Sequence, residues 1–175
     1  GDVEDISAHH NFAIMFTELY TECAGFYVDD PMEHWIPELM RQSTDALRVH
    51  FARWVSGLLS ELSDTEVDDW WKRWLRKHWE NRRDEIPFPV SARESGMLMS
   101  WLKYLGNNFS EGVDLAIQMP NVDLDNTHVL FDLGRSDLLV RFTDDAARLL
   151  LFILNYYPGH HAHIFHEIPK FREEL

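Results

Sequence analysis

Cysteine, long apolar runs and leader segments are all scarce in this 175-residue chain. Its one cysteine, Cys23, cannot form a disulfide within the chain, which is typical of a reducing compartment and leads us to expect a cytoplasmic protein. Apolar runs such as Leu149–Leu154 fall far short of the ~20 residues that span a bilayer, so we expect no membrane segment. No signal peptide opens the chain and it begins with Gly1, so we interpret the sequence as a piece of a longer protein.

Positive charge is also scarce. The chain has 16 Lys and Arg against 30 Asp and Glu, which gives a net charge of −14 and a pI near 5.0. Because contacts with phosphate supply most of the affinity of nucleic-acid-binding proteins, this balance disfavours general binding to DNA or RNA. Only a local basic stripe would override it.

Catalytic motifs are missing as well. The sequence contains no Gly-rich phosphate loop, no GxSxG nucleophile motif and no HExxH zinc motif, so we predict no catalytic residue, no cofactor and no enzymatic activity. Apolar material is plentiful, at 45% hydrophobic and 13% aromatic residues, which is enough for a packed interior. We expect one domain over residues 1–175, with two lobes, 1–62 and 63–175, as the alternative.

Apolar residues recur at helical spacing along most of the chain. One such stripe runs from Phe12 to Cys23 and another from Leu47 to Leu62. Residues 127–142 fit either short helices or a hairpin, and we favour helices because their surroundings are helical. The sequence therefore predicts an all-α fold, an irregular helical bundle or a short α-solenoid of about 6–8 helices.

Helix boundaries are indicated by capping residues. Capping boxes at 63–66 and 91–94 each open a helix, and Gly106 is a plausible stop for the second. Ser110 is expected to cap a short helix, and Thr143 to cap a last helix over 144–157.

The stretch from Asp68 to Val90 holds four of the seven tryptophans and six of the sixteen basic residues. On a helical wheel, at roughly 100° per residue, the apolar residues share one half: Trp70, Trp71, Trp74, Leu75 and Trp79. Five cations share the other half, and we call them the basic face: Lys72, Arg73, Arg76, Lys77 and Arg83. Arg82 falls in the apolar half, which predicts a frayed or exposed last turn. His78 lies there too, as expected of a core histidine.

The basic face has three interpretations. Nucleic-acid platforms interleave aromatic and basic residues on one surface, whereas here the two are segregated, as in a helix whose aromatic side faces the core. Acidic neighbours such as Asp69, four residues before Arg73, partly neutralise the cations. We therefore favour a solvated charged face, and retain docking to an acidic protein and binding to nucleic acid as alternatives.

Histidines cluster near the C-terminus, with four of the ten in residues 160–166. On a helix His160, His163 and His166 would share roughly one face, and imidazole is a good zinc ligand. Because zinc sites usually draw ligands from two separated elements, we predict no metal site and keep a metal-dependent protein as an alternative.

A resemblance to a known family lies in the second half of the chain, over about residues 70–157. It is carried by Trp79, Glu80, Asn81, Arg82, Ile86, Pro87, Glu94, Met97, Trp101, Leu102, Leu105, Phe109 and the runs 113–116 and 149–154. This pattern resembles a bacterial helical domain of unknown function found at the C-terminus of sirtuin-like proteins, often in antiviral defence. The resemblance implies a non-catalytic interaction, sensing or oligomerising domain of a larger prokaryotic defence-type protein. Its partner would be another protein, the rest of that chain or a second copy.

Overall fold

The computed structural model describes residues 40–41, 43–84, 89–121, 132–134 and 136–156. Within these ranges the chain forms seven α-helices, one π-helical turn and two 3-10 turns, and no strand. The α-helices are α1 (Asp45–Leu59), α2 (Asp64–Trp70), α3 (Arg76–Asp84), α4 (Ala92–Met99), α5 (Phe109–Ala116), α6 (Leu138–Arg141) and α7 (Thr143–Tyr156). The all-α prediction is confirmed for this part of the chain. The predicted stripe from Phe12 to Cys23 lies outside the described residues.

Helix α1 begins at a favourable local sequence. Thr44 is its N-cap, and the Thr44 hydroxyl accepts a hydrogen bond from the Leu47 backbone N–H at 3.4 Å. Phe51 and Val55 on its inner side are fully buried. The helix packs mainly against α4, and the Trp101 indole N–H donates to the Ala52 carbonyl at 2.8 Å. The indole therefore both fills the core and fixes the distance to α1.

Helices α2 and α3 are continuous through the π-helical turn Trp71–Leu75. The predicted capping box at its start is confirmed, because Ser63 Oγ accepts from the Glu66 N–H while the Glu66 carboxylate accepts from the Ser63 N–H at 2.9 Å. In the π-turn the Arg76 N–H bonds to the Trp71 carbonyl, five residues back. The turn carries two tryptophans and a leucine into the core.

Helix α4 starts as predicted but ends earlier. The Ser91 hydroxyl accepts from the Glu94 N–H at 3.0 Å, so Ser91 is the N-cap. The predicted stop at Gly106 is wrong: α4 ends at Met99, and the chain continues through the 3-10 turns Leu102–Tyr104 and Gly106–Asn108. Gly106 has φ of 52°, a conformation that other residues adopt only with strain. Glycine is thus placed at the bend between the two 3-10 turns.

Two predicted caps are corrected by the structure. Helix α5 starts at Phe109, before Ser110, and the Ser110 hydroxyl instead donates to the Asp145 carboxylate on α7. Helix α7 starts at Thr143 itself, whose hydroxyl donates to the Leu139 carbonyl at 3.0 Å in the preceding turn. A capping hydroxyl accepts a hydrogen bond from a backbone N–H in the first turn of its helix. In both cases the hydroxyl instead donates to another group. Of the uncertain stretch 127–142, residues 138–141 are helical, which favours the helical alternative there.

One hydrophobic cluster unites α1 with the later helices. Phe51, Trp74 and Leu149 all belong to it. At Gly112 a Cβ would lie 2.5 Å from Leu105 Cδ1 and 2.8 Å from Leu102 Cδ2, so an alanine there would require these two leucine side chains to shift. The division into lobes 1–62 and 63–175 stays a prediction.

Candidate functional site

The basic face is largely paired with carboxylates. Four of its five residues lie in ion pairs: Lys72 with Asp68 at 2.6 Å, Arg73 with Asp69 at 3.2 Å, Arg76 with Glu80 and Glu111 at 3.0 Å each, and Arg83 with Asp84 at 2.6 Å. Lys77 is exposed and makes no ion pair with another described residue. The hydrogen bond from Lys72 lowers the pKa of Asp68, and Asp68 in turn raises the pKa of Lys72. The cations therefore meet their counter-charges mainly on the same helix.

The charges along Asp64–Asp84 cancel. This segment has six basic and six acidic residues, so the net charge of the helix is zero. The predicted segregation of aromatics from cations is confirmed, because Trp71, Trp74, Leu75 and Trp79 are each 2% exposed or less. Trp70 is only half-buried. The basic face as a docking site stays a prediction, on a surface whose field is weaker than the cation count suggests.

The main correction concerns Arg82, which is neither frayed nor exposed. It is 1% exposed and donates two hydrogen bonds to Glu94, from Nε to Oε1 at 2.6 Å and from Nη2 to Oε2 at 3.0 Å. Arg48 Nε on α1 lies 3.4 Å from Glu94 Oε2. We call Arg48, Arg82 and Glu94 the core ion cluster. It joins α1, α3 and α4 inside the protein.

The core ion cluster also corrects the second capping box. In a capping box the Glu94 carboxylate would return to the Ser91 backbone, whereas here it points inward and is itself 1% exposed. A sequence signal for this pairing existed. Arg82 and Glu94 carry opposite charges on the apolar sides of neighbouring helices, and a buried charge requires a partner.

His78 occupies the aromatic core beside the core ion cluster. Its ring lies 5.1 Å from the Phe51 ring and 5.9 Å from the Trp101 ring, measured between centroids. Burial, followed by the positive charge of Arg82, lowers the pKa of His78 to about 3. The imidazole is therefore neutral at physiological pH, as the prediction of a core histidine requires.

Several buried polar side-chain atoms have no hydrogen-bond partner among the described residues. They are Asp45 Oδ1, Arg48 Nε, Trp74 Nε1, His78 Nδ1, Trp79 Nε1 and Ser95 Oγ. A buried polar atom left without a hydrogen bond costs about 1–3 kcal/mol of stability, which the packing of the surrounding apolar side chains has to offset.

The part of the chain that the structure describes has no group of three His, Cys, Asp or Glu placed to hold a metal ion. His160, His163 and His166 lie outside that part, so the prediction made for them stands as it was. No described helix has the length and apolar character needed to traverse a bilayer.

Comparison with known proteins identifies the family. A family model described as Domain of unknown function (DUF4020) matches residues 24–174. The chain belongs to this family. The comparisons with curated proteins and with solved structures gave no match. The resemblance to a helical domain of unknown function is thus confirmed at that level, and two of the residues that carry it, Arg82 and Glu94, belong to the core ion cluster of this chain.

Proposed function

We propose that this DUF4020 chain is a non-catalytic helical domain that docks, senses or oligomerises within a larger bacterial defence-type protein with a sirtuin-like part. The observation that carries the proposal is the enclosure of the reactive side chains. Arg48, Arg82 and Glu94 are 6%, 1% and 1% exposed and face one another, and His78 is 3% exposed and faces aromatic rings. Groups so enclosed stabilise a rigid body and do not reach a substrate.

The pattern of the resemblance supports the same proposal. Its residues are packing residues: Trp79, Trp101 and Phe109 are all fully buried. A rigid helical body of this kind presents its outer surfaces to a partner without rearranging its core. The partner is the rest of the larger chain, another protein or a second copy.

The test removes residues 1–175 from the native polypeptide and measures assembly and turnover separately. We expect the truncated protein to lose partner binding or its oligomeric state, read by light scattering after size-exclusion chromatography, while turnover by the remainder persists. Turnover by residues 1–175 alone, abolished by a point substitution, would contradict the proposal.

A charge-reversed variant then asks whether the basic face is the docking surface. Lys72→Glu, Arg73→Glu and Lys77→Glu are combined in the full-length protein. Arg148→Glu on α7, an equally exposed arginine away from this helix, is the matched control. Loss of assembly in the triple variant alone assigns docking to the basic face, and equal assembly in both variants assigns it elsewhere.

A further inference from the structure

A polar groove lies where the end of α1, the start of α2, the 3-10 turns and α6 meet. Its volume is about 260 Å³, and every residue that lines it belongs to the described ranges. No residue of the basic face or of the core ion cluster lines it. The groove is therefore a separate feature of the molecule.

The base of the groove is firmly held. Leu59, Val67 and Leu138 line it and are each 3% exposed or less, so they are fixed in the hydrophobic core. Gly106, with its φ of 52°, lies at the wall and sets the path of the chain there. A site on such a base is pre-formed, which limits the entropy lost on binding.

Charges of both signs line the walls. Lys103 and Arg141 supply cations, and Asp64 and Asp137 supply carboxylates. Lys103 lies in the first 3-10 turn, Asp64 in α2 and Arg141 in α6, and Asp137 is the residue directly before α6. Tyr104 adds a hydroxyl group.

These charged groups retain binding capacity. Lys103 Nζ pairs at 2.6 Å with Asp132, which does not line the groove, and an ammonium group has three donors. Arg141 donates to Asn107 at 2.7 Å, while its contact with Asp137 is long, at 3.5 Å. Asp64 forms no ion pair with any described residue. The groove therefore offers spare donors for an anion and a carboxylate for a cation.

We propose that this groove binds a small zwitterion of the free amino-acid class. The ligand's carboxylate meets Lys103 and Arg141, and its ammonium group meets Asp64. The volume lies just below the ~300–1,000 Å³ of drug-sized pockets, which suits a ligand of amino-acid size. A phosphate dianion is disfavoured because it would face the two carboxylates that line the groove, those of Asp64 and Asp137, and has no positive group to place against them. This site goes beyond the proposed function, which names no small-molecule ligand for the domain.

The first experiment titrates the protein with each of the twenty L-amino acids up to about 10 mM, a range that detects weak binding. Backbone amide shifts of Lys103, Tyr104 and Gly106 in NMR spectra report occupation of the groove. For each binder, the N-acetyl derivative lacks the ammonium group and the amide lacks the carboxylate. We expect saturable shifts with at least one amino acid, and affinities at least about tenfold weaker for both derivatives.

Variants assign the two ends of the ligand. Asp64→Asn is expected to weaken binding of the amino acid about tenfold and to abolish its advantage over the N-acetyl derivative. Arg141→Gln is expected to abolish the advantage over the amide. Arg148→Gln, on α7 and outside the groove, is the control and keeps wild-type affinity. No saturable shift with any amino acid, equal binding of the N-acetyl derivative, or unchanged affinity in both groove variants would overturn the proposal.

Discussion

At the residue scale, the most informative side chains are charged or titratable groups that the fold has enclosed. Arg82 and Glu94 are both 1% exposed, and His78 is 3% exposed. A buried ion is tolerated only when its partner is in place, because desolvation of the isolated charge costs several kcal/mol. A buried imidazole avoids this cost by remaining neutral. The paired ions and the neutral imidazole are neighbours in the core, and the positive charge of Arg82 helps to keep His78 unprotonated.

His78 makes stability depend on pH in a defined direction. Its pKa is about 3 in the folded chain against an ordinary value of 6.5, so between these values the unfolded state binds a proton that the folded state does not. The contribution of His78 to the free energy of unfolding is therefore constant above about pH 6.5. It falls as the pH drops towards 3, by up to ~1.4 kcal/mol per pH unit. Urea unfolding of the wild type and of His78→Phe at about pH 7, 6 and 5 measures this change in the free energy of unfolding.

The variant controls for every other titrating group, because carboxylates contribute equally to both proteins. We expect the free energy of unfolding of the wild type to decline relative to His78→Phe as the pH falls. Parallel pH profiles would show that His78 is protonated in the folded state or is accessible to solvent.

Glu94 pairs with two buried arginines, so we expect removal of its charge to lower the free energy of unfolding strongly. Glu94→Gln leaves Arg48 and Arg82 facing each other without a carboxylate, and should lower the free energy of unfolding by about 3–5 kcal/mol. The matched control replaces all three residues of the core ion cluster by methionine, which removes the charges together. We expect this triple variant to recover much of the loss, measured by urea unfolding at pH 7. A triple variant as unstable as Glu94→Gln would mean that packing and not charge pairing dominates here.

At the element scale, local sequence signals are reliable where no other residue competes for the same side chain. The capping box of Ser63 and Glu66 spans three residues, and both of its hydrogen bonds form. The prediction of an exposed Arg82 is wrong because its partner Glu94 lies twelve residues away on another helix. The predicted cap at Thr143 is wrong because the Thr143 hydroxyl donates to the Leu139 carbonyl in the preceding turn. The π-turn could not be predicted from a wheel that assumes a constant angle per residue.

The Ser63 cap supports a test at the start of α2. Ser63→Ala removes the acceptor for the Glu66 N–H and the donor to its carboxylate, and we expect a loss of about 1 kcal/mol. Thr65→Ala, an exposed neighbour without a capping role, is the control and should change stability by less than ~0.5 kcal/mol. Thermal unfolding followed by circular dichroism distinguishes them. Equal effects would show that the cap contributes nothing beyond helix propensity.

Trp74 lies in the π-turn of the continuous helix Asp64–Asp84, which we call the central helix. Its indole is 2% exposed and packs 5.3 Å from the Trp70 ring and 6.4 Å from the Phe51 ring, between centroids. Trp74→Ala should lower the free energy of unfolding by ~3–5 kcal/mol, since the cavity cannot close. Trp70→Ala, at a half-buried ring on the same helix, should cost less in the same urea unfolding experiment. A larger cost at Trp70 would mean that the core lies on its side of the helix.

At the scale of the whole molecule, the acidity of the chain is unevenly distributed along the sequence. Residues 1–40 hold nine Asp and Glu and no Lys or Arg. The described residues hold 15 acidic and 13 basic residues, so the helical body itself is close to neutral. All-α class and the aromatic core were accessible from periodicity. The ion pairs of the basic face depend on side-chain rotamers and, for Arg76, on Glu111 of α5. The periodicity of the sequence reports neither.

This balance predicts that the wild-type chain does not bind nucleic acid. Four of the five cations of the basic face are already paired with carboxylates, so few of them are available to neutralise phosphates and release counterions. We therefore expect no mobility shift of DNA or RNA at about 50 mM salt. Asp69→Asn combined with Glu80→Gln raises the charge of the central helix from zero to plus two. That variant is expected to bind weakly and to release nucleic acid as salt is raised, which shows that the assay detects this surface. A salt-dependent shift by the wild type, abolished when Lys72, Arg73 and Lys77 are changed to glutamate, would make the basic face a nucleic-acid interface instead.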